Sequence, residues 1–486
     1  MVVQFQYDPK RKEVKIVSDF LANIKEHFSV KNPGAHFNRY ARFIPQRIYA
    51  ITASGYIGIG LVPEVLNYLK SQNIPFDIQI DQAYRDVLKQ IHILLPDLHT
   101  KTLINEFTLR DYQQAAVGNA LDNGHGIIEL ATGGGKTLII ANFVYAALHE
   151  IKLTEKILIV VPDLGLVAQT YKDFTSYNFP MEIVSKWTGN TELDPNARVI
   201  IANMGILQSK NSDISWFNKV GLLVVDECHK LRRGNKVCKL LDKVPTLRRV
   251  GFTGTLPEND IDKWNIIKLL GPVIFKKTTT ELREAAGGEY IANAQCLAIK
   301  LEYDFKPDYT SVASSQRYLF ELEYIHNSGF RNKVIKRLAN NFKNNCLILI
   351  DHIAHGDNLY KELSTIEGKQ VYFIQGSVEV EERRKVQEIM EQHNNVVCIA
   401  ISKIFSTGIS IKNIHYIVFA AGGKSKIKTL QSIGRGLRVH ENKDILTLAD
   451  IVDDLIYGIK HYDKRKEFYD LEKIKITEKT ITESAS

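Results

Sequence analysis

The chain has 486 residues, 44% of them hydrophobic and 24% charged, with a formal net charge of +8. That length allows about three domains with sizeable cores, and the modest positive charge is compatible with a polyanionic partner without establishing one. No apolar run approaches the roughly 18–20 residues of a membrane span, the first eight residues lack the basic-then-apolar pattern of a secretory leader, and five scattered cysteines without a Cys-x-x-Cys pair suggest reduced thiols in a cytoplasmic protein.

Residues 1–98 alternate short apolar segments with basic and aromatic ones and carry no nucleotide signature. Lys10, Arg11, Lys25, Arg39, Arg42 and Arg47 interleave with Phe28, Phe37, Tyr40 and Phe43. Basic groups suit phosphates and aromatics suit exposed bases, so this block is expected to touch nucleic acid, with Arg39 and Arg42 as candidates. The run Gly55-Tyr56-Ile57-Gly58-Ile59-Gly60 has the wrong glycine spacing for a dinucleotide site and reads as strand and turn.

From 99 to 300, apolar strand candidates at 156–161, 198–202, 221–225, 249–252 and 273–275 alternate with helix-like stretches. Such alternation indicates a parallel sheet covered on both faces. Leu109-Arg110-Asp111-Tyr112-Gln113 comes first, where Gln113 can read adenine by two hydrogen bonds with Arg110 close by. The apolar run 126–130 then opens onto Ala-Thr-Gly-Gly-Gly-Lys-Thr at 131–137, in the strand, glycine loop and helix order of a phosphate cradle. Glycines let consecutive N–H groups face phosphates, and the helix N-terminus adds its positive end. Thr132, Gly133, Gly134 and Gly135 would form the loop, Lys136 would reach the β/γ-phosphates of ATP, and the Thr137 hydroxyl would ligate Mg²⁺. Leu130 stands where the strict spacing has a glycine, so the loop is a variant whose first glycine is Gly133.

Further along, Pro162 precedes a helix bearing Gln169 and Thr170, whose N-terminal end can meet backbone phosphates. Asp226-Glu227-Cys228-His229 ends the apolar run 221–225. Asp226 can hold Mg²⁺ through water, Glu227 can polarise the attacking water, and His229 would border the nucleotide. Thr253-Gly254-Thr255 ends the next strand, where the hydroxyls of Thr253 and Thr255 can couple hydrolysis to movement or touch DNA.

From 301 to 486 the alternation returns at 346–350, 371–374, 396–401, 416–419 and 445–448, without a second phosphate loop. The stretch 303–330 is irregular and is expected to hold a helix or a substrate-contacting insertion; the polar tail ending at Ser486 is expected to fray. Ser406, Thr407 and Gly408 follow a strand and can line a cleft or touch a phosphodiester backbone. On a helix, Gln431, Arg435 and Arg438 share one face. Guanidinium stays charged and matches phosphate oxygens bidentately, so Arg435 and Arg438 are candidates for stabilising transition-state charge. His352 and His355 are three apart but lack carboxylate or thiol company, and no metal beyond Mg²⁺ is expected.

The order of these motifs from Leu109 to Arg438 resembles that of superfamily 2 helicases. More narrowly it is similar to the UvsW type of phage recombination helicase, most tellingly through Phe405-Ser406-Thr407-Gly408-Ile409-Ser410-Ile411-Lys412-Asn413 and on to Arg435. The resemblance implies an α/β fold: a small α+β N-terminal domain (1–98) ahead of two tandem RecA-like domains (99–300 and 301–486). It further implies ATP and Mg²⁺ as cofactors, DNA-stimulated hydrolysis between the two domains, and 3′ to 5′ tracking along one strand. Branched DNA would be the substrate (forks, displacement loops, four-way junctions), recombination or replication proteins the partners, and a monomer in the bacterial host cytoplasm the working form. His229 departs from the Asp-Glu-Ala-Asp tetrad of many RNA helicases, which favours DNA. An RNA helicase or remodelling ATPase on the same fold, or the motor subunit of a nuclease, are the alternatives.

Overall fold

The structure, a computed structural model, describes residues 1–32, 45–92, 108–189, 191, 193–209, 212–285, 292–376, 378, 380–402, 411–421, 423 and 445–485. By its internal contacts the chain falls into two units, Met1–Leu130 with Gly135–Lys277 and Thr278–Ser486 with Ala131–Gly134. The fold is α/β: two seven-stranded parallel sheets flanked by helices, as tandem RecA-like domains require, preceded by a small α+β region.

In the first unit, β1 (Val2–Asp8) pairs antiparallel with β2 (Glu13–Val17). Val3 and Phe5 of β1 are buried while Gln6 faces water, the alternation of a sheet covered on one face. A separate ribbon joins β3 (Ser29–Lys31) to β4 (Arg47–Tyr49). With β5 (Tyr56–Gly58) and β6 (Asp77–Ile80), the N-terminal sheet runs β5-β2-β1-β6.

The larger sheet of this unit is built from β7 (His125–Leu130), β8 (Lys156–Val161), β9 (Val184–Trp187), β10 (Val199–Asn203), β11 (Val220–Asp226), β12 (Arg249–Thr253) and β13 (Val273–Lys277). Its order is β13-β7-β12-β11-β8-β10-β9, every pairing parallel. All residues of β8 and β11 are buried, so the period of two disappears and the strands read as continuous apolar runs. Helix Lys136–Ala147 is apolar nearly all round because it too is buried on most sides.

The N-terminal sheet shares its core with this larger sheet: buried residues run without a break from Val3, Phe5 and Val65 to Ile266, Ile267 and Leu270. The seam is helix Asp260–Leu270, started by Asn259 accepting from Ile261 N–H and ended by Gly271 at φ +102°. Phe28 packs on Trp264 with ring centroids 5.4 Å apart, and Lys268 Nζ lies 2.9 Å from Glu13 Oε1. Gly58 and Gly60 lie against this helix; a Cβ on Gly60 would strike the Ile267 carbonyl oxygen and sit 2.7 Å from Gly271 Cα. The glycine run at 55–60 is strand and turn, as its spacing predicts, and it is glycine-rich where another backbone approaches closely.

The second unit orders β14 (Asn293–Glu302), β15 (Cys346–Ile350), β16 (Gln370–Ile374), β17 (Val396–Ile401), β18 (Tyr416–Phe419), β19 (Ile445–Asp453) and β20 (Lys475–Thr482) as β16-β17-β15-β18-β19-β14-β20, again all parallel. The expected 300/301 boundary therefore lies inside β14, a strand of the second sheet that pairs on both sides. The tail expected to fray is largely β20: its threonines and isoleucines suit a strand, and its lysines and Glu478 suit an edge. Within the irregular stretch 303–330 the structure has helix Arg317–Asn327.

Two aspartates three apart on β19 point to opposite faces and each meets a buried arginine. Arg465 donates to both Asp450 oxygens (2.9 and 2.8 Å), and Arg331 Nε donates to Asp453 Oδ1 (2.9 Å). Pairs so placed tie one helix to each face of the sheet, and removing either partner would strand a buried charge.

Candidate functional site

Neighbouring strands β7, β12 and β11 bring three sequence-distant motifs to the carboxyl edge of one sheet, where open α/β sheets bind ligands. Thr253 pairs in register with Glu129, and Asp226 with Phe252, so the phosphate loop, Thr253 and the Asp226–Glu227 pair all leave the sheet at that edge.

After β7 the chain turns at Gly133 (φ +89°) and Gly135 (φ +80°), both in the left-handed region that glycine tolerates. Gly134 N–H donates to the Ala131 carbonyl (3.1 Å), and helix Lys136–Ala147 starts with Gly135 as its cap. Thr132 and Thr137 flank the glycines, with Thr137 the second residue of the helix. A Cβ at Gly135 would collide with Gln113 Nε2, so the glutamine of the upstream motif lies directly against the loop. Gln113 is buried, and its Oε1 accepts from Arg110 N–H (3.0 Å) at the start of helix Asp111–Asn123. In this structure the side chain that is expected to read adenine thus caps its own helix while touching the glycine loop.

Lys136 Nζ lies 4.0 Å from Glu227 Oε1, with the lysine side chain 10% exposed. Glu227 adopts φ +48°, ψ +46°, a left-handed conformation uncommon for a residue with a Cβ and characteristic of functional sites. Its N–H donates to Asp226 Oδ1 (2.8 Å), and its Oε2 lies 3.2 Å from His229 Nδ1. His229 Nδ1 is also 3.0 Å from Thr253 Oγ1, whose own hydroxyl donates to the Thr255 carbonyl (3.1 Å). Lysine, two carboxylates, imidazole and threonine form one connected polar network.

Burial pushes the Asp226 carboxyl up to about 7, the charge of Glu227 adds to the rise, and Lys136 opposes it. Two adjacent carboxylates, that of Asp226 buried, at the loop that carries Thr137 fit a divalent cation held by Asp226 with the Thr137 hydroxyl. At the loop's other flank, Glu129 accepts from Leu256 N–H (3.3 Å) and lies 3.1 Å from Lys276 Nζ.

The remaining candidates separate. Helix Leu164–Ser176, which follows Pro162, has its N-terminus capped by Asp163, whose Oδ1 accepts from Leu166 N–H (3.1 Å). On that helix Thr170 is buried, and Gln169 Nε2 donates to Asp173 Oδ1 (2.6 Å). Arg39, Arg42, Ser406, Thr407, Gly408, Gln431, Arg435 and Arg438 lie outside the described residues. Not foreseen was a histidine cluster in the second unit. His326 stacks on His355 (4.7 Å, 17°) and meets His352 at 4.8 Å, an arrangement hidden from spacing because His326 comes from another helix.

Comparison with known proteins agrees with this geometry. Residues 106–258 match the family model described as type III restriction enzyme, res subunit, and residues 330–440 match the helicase conserved C-terminal domain. The chain is 28% identical over 463 residues to the ATP-dependent DNA helicase uvsW of Enterobacteria phage T4, covering 92% of this chain and 90% of that one. It is 24% identical over 352 residues to the DNA 3'-5' helicase XPB of Kineococcus radiotolerans, covering 68% of this chain and 57% of that one. In fold it is similar to a DNA-bound ATP-dependent type ISP restriction-modification enzyme, LlaBIII, with a TM-score of 0.58 at 14% identity, over 90% of this chain and 37% of that one.

Proposed function

We infer that this chain, a superfamily 2 ATP-dependent DNA helicase similar to the phage UvsW type, remodels branched DNA: forks, displacement loops and four-way junctions met in recombination, repair and fork rescue. The observation that carries the ATP-driven part is the joining of Lys136, Asp226, Glu227, His229 and Thr253 in one network at the sheet's carboxyl edge. Lys136, now directed at Glu227, would turn to the β/γ-phosphates when ATP binds, releasing Glu227 to orient the attacking water. Mg²⁺, held by Asp226 and Thr137, would neutralise charge on the phosphate oxygens. Arg435 and Arg438 would add guanidinium groups as charge develops. His229, 3.2 Å from Glu227 Oε2 and 3.0 Å from Thr253 Oγ1, would pass the state of the phosphates to the Thr253–Thr255 turn.

The preference for branches, travel from 3′ to 5′, action as a monomer in the host cytoplasm and work beside recombination or replication proteins are the finer parts of this reading. They rest on similarity to uvsW over nine-tenths of its length and on the basic and aromatic residues of the N-terminal block. ATPase stimulation and strand displacement should be measured on single-stranded, duplex, forked and four-way-junction DNA, with matched RNA forks alongside. Junctions and forks should be the best substrates, and Lys136→Ala should lower turnover by at least about 100-fold while DNA binding persists. Equal activity on plain duplexes and junctions would remove the branch-directed part, and unwinding of RNA alone would move the substrate to RNA.

A further inference from the structure

The three clustered histidines of the second unit, His326, His352 and His355, lie just past the carboxyl end of β15, the sheet edge at which α/β folds place ligands. His326 is in the last turn of helix Arg317–Asn327, His352 immediately precedes helix Ile353–Leu363, and His355 is in that helix's first turn. Their rings form a pile running from core to surface: His355 is fully buried, His326 is half-buried and stacked on it, and His352 is exposed and tilted by 49° against His326.

Beneath the pile lies the buried Arg331 guanidinium. Its Nη1 donates to His355 Nε2 (3.3 Å), Nη2 donates to the Ala420 carbonyl (2.9 Å), and Nε donates to Asp453. Burial, with this guanidinium next, holds His355 down to about 2 and His326 down to about 4, so both rings are neutral at physiological pH. A fixed cation at the base also works against a bound metal, and among the described residues no group of three His, Cys, Asp or Glu side chains could hold one. The chemistry left to such a pile is that of an aromatic surface opening to solvent at His352.

We propose that His352, backed by His326, is a stacking platform for a nucleobase of single-stranded nucleic acid, an inference that rests on the motor reading above. Aromatic faces stack any base, so the contact holds a strand without reading its sequence, as a tracking motor needs. His326 is the positioning residue: its ring lies against His352 in a tilted contact and is itself stacked on His355.

Binding of oligothymidylate, and of the same strand with abasic positions, should be measured by fluorescence anisotropy for the full-length protein and for His352→Ala, His352→Phe and His352→Arg. Loss of one stacked base weakens binding roughly 5- to 150-fold, so His352→Ala should fall in that range on the normal strand and lose nothing further on the abasic one. His352→Phe should stay within about 2-fold of wild type, because a phenyl face replaces an imidazole face. Retention by His352→Arg with loss by His352→Phe would mean a phosphate contact and overturn the proposal, as would unchanged binding by His352→Ala. Wild-type protein that binds no single strand would bring down the motor reading as well, whereas binding that ignores His352→Ala brings down only this one. Since His352 is exposed, thermal melting of each variant should match wild type.

Discussion

Glu227 combines three features that are individually uncommon: a left-handed backbone, a buried carboxylate neighbour and a lysine at 4.0 Å. Held strain of this kind costs about 1–3 kcal/mol and persists where the surroundings over-determine it. Glu227→Gln keeps the shape and removes the charge. ATP hydrolysis is then expected to fall by about 10²–10⁴, the range for loss of a positioned base, while ATP affinity is kept or tightens because a negative charge beside the triphosphate is gone. Single-turnover hydrolysis and equilibrium binding of a labelled ATP analogue separate the two; a joint loss of binding would make Glu227 a ligand-positioning group instead. The meeting of Lys136 with the Asp226–Glu227 pair was legible in the sequence because each sits in a contiguous motif whose chemistry dictates its residue types. The contacts His229–Thr253 and Gln113–Gly135 were not legible, since they depend on which strands are neighbours and on two helix starts meeting one loop. The histidine pile escaped for the same reason.

At the scale of elements, helix Asp260–Leu270 joins the N-terminal sheet to the motor sheet, and glycine at Gly60 is what lets the two backbones approach. A side chain there meets backbone, the Ile267 carbonyl and Gly271, rather than a flexible side chain that could move aside. Gly60→Val is therefore expected to destabilise the first unit by about 3 kcal/mol, at the upper end of overpacking costs, with the N-terminal sheet melting ahead of the motor sheet. Hydrogen exchange resolved by segment is the measurement: protection in β1 and β2 should drop while β8 and β11 stay protected. Uniform loss or none would mean that the seam does not carry the coupling. Buried strands such as β8, β11, β15 and β17 were readable as apolar runs. The strands β9, β14 and β20 were not, because β9 has four residues, β14 mixes polar and apolar positions, and β20 is an edge whose polar face is exposed.

Across the whole molecule, buried and half-buried histidines link stability to pH in both units. His125, at the start of β7, is held down to about 4 by burial and Arg249; in the second unit His326 and His355 are held down to about 4 and about 2. An unfolded chain protonates each near 6.5. Below that pH the unfolded state takes up protons that the folded state refuses, so the stability from these groups is complete above about 6.5 and is lost as pH falls toward the folded values. In the first unit Asp226, pushed up to about 7, acts in the opposite direction, because its folded form takes up a proton first. The second unit therefore gives the cleaner reading, with a loss of about 2 kcal/mol or more expected by pH 5. His355→Gln isolates the effect: the amide oxygen can still accept from Arg331, but the side chain no longer titrates. Denaturant melts followed in the second unit at pH 7.5, 6 and 5 should show a steep fall for the wild type and a shallower one for the variant. The comparison stays above the range in which carboxylate protonation dominates acid unfolding, so equal slopes would mean that His355 is protonated in the folded protein and that Arg331 tolerates a charged neighbour.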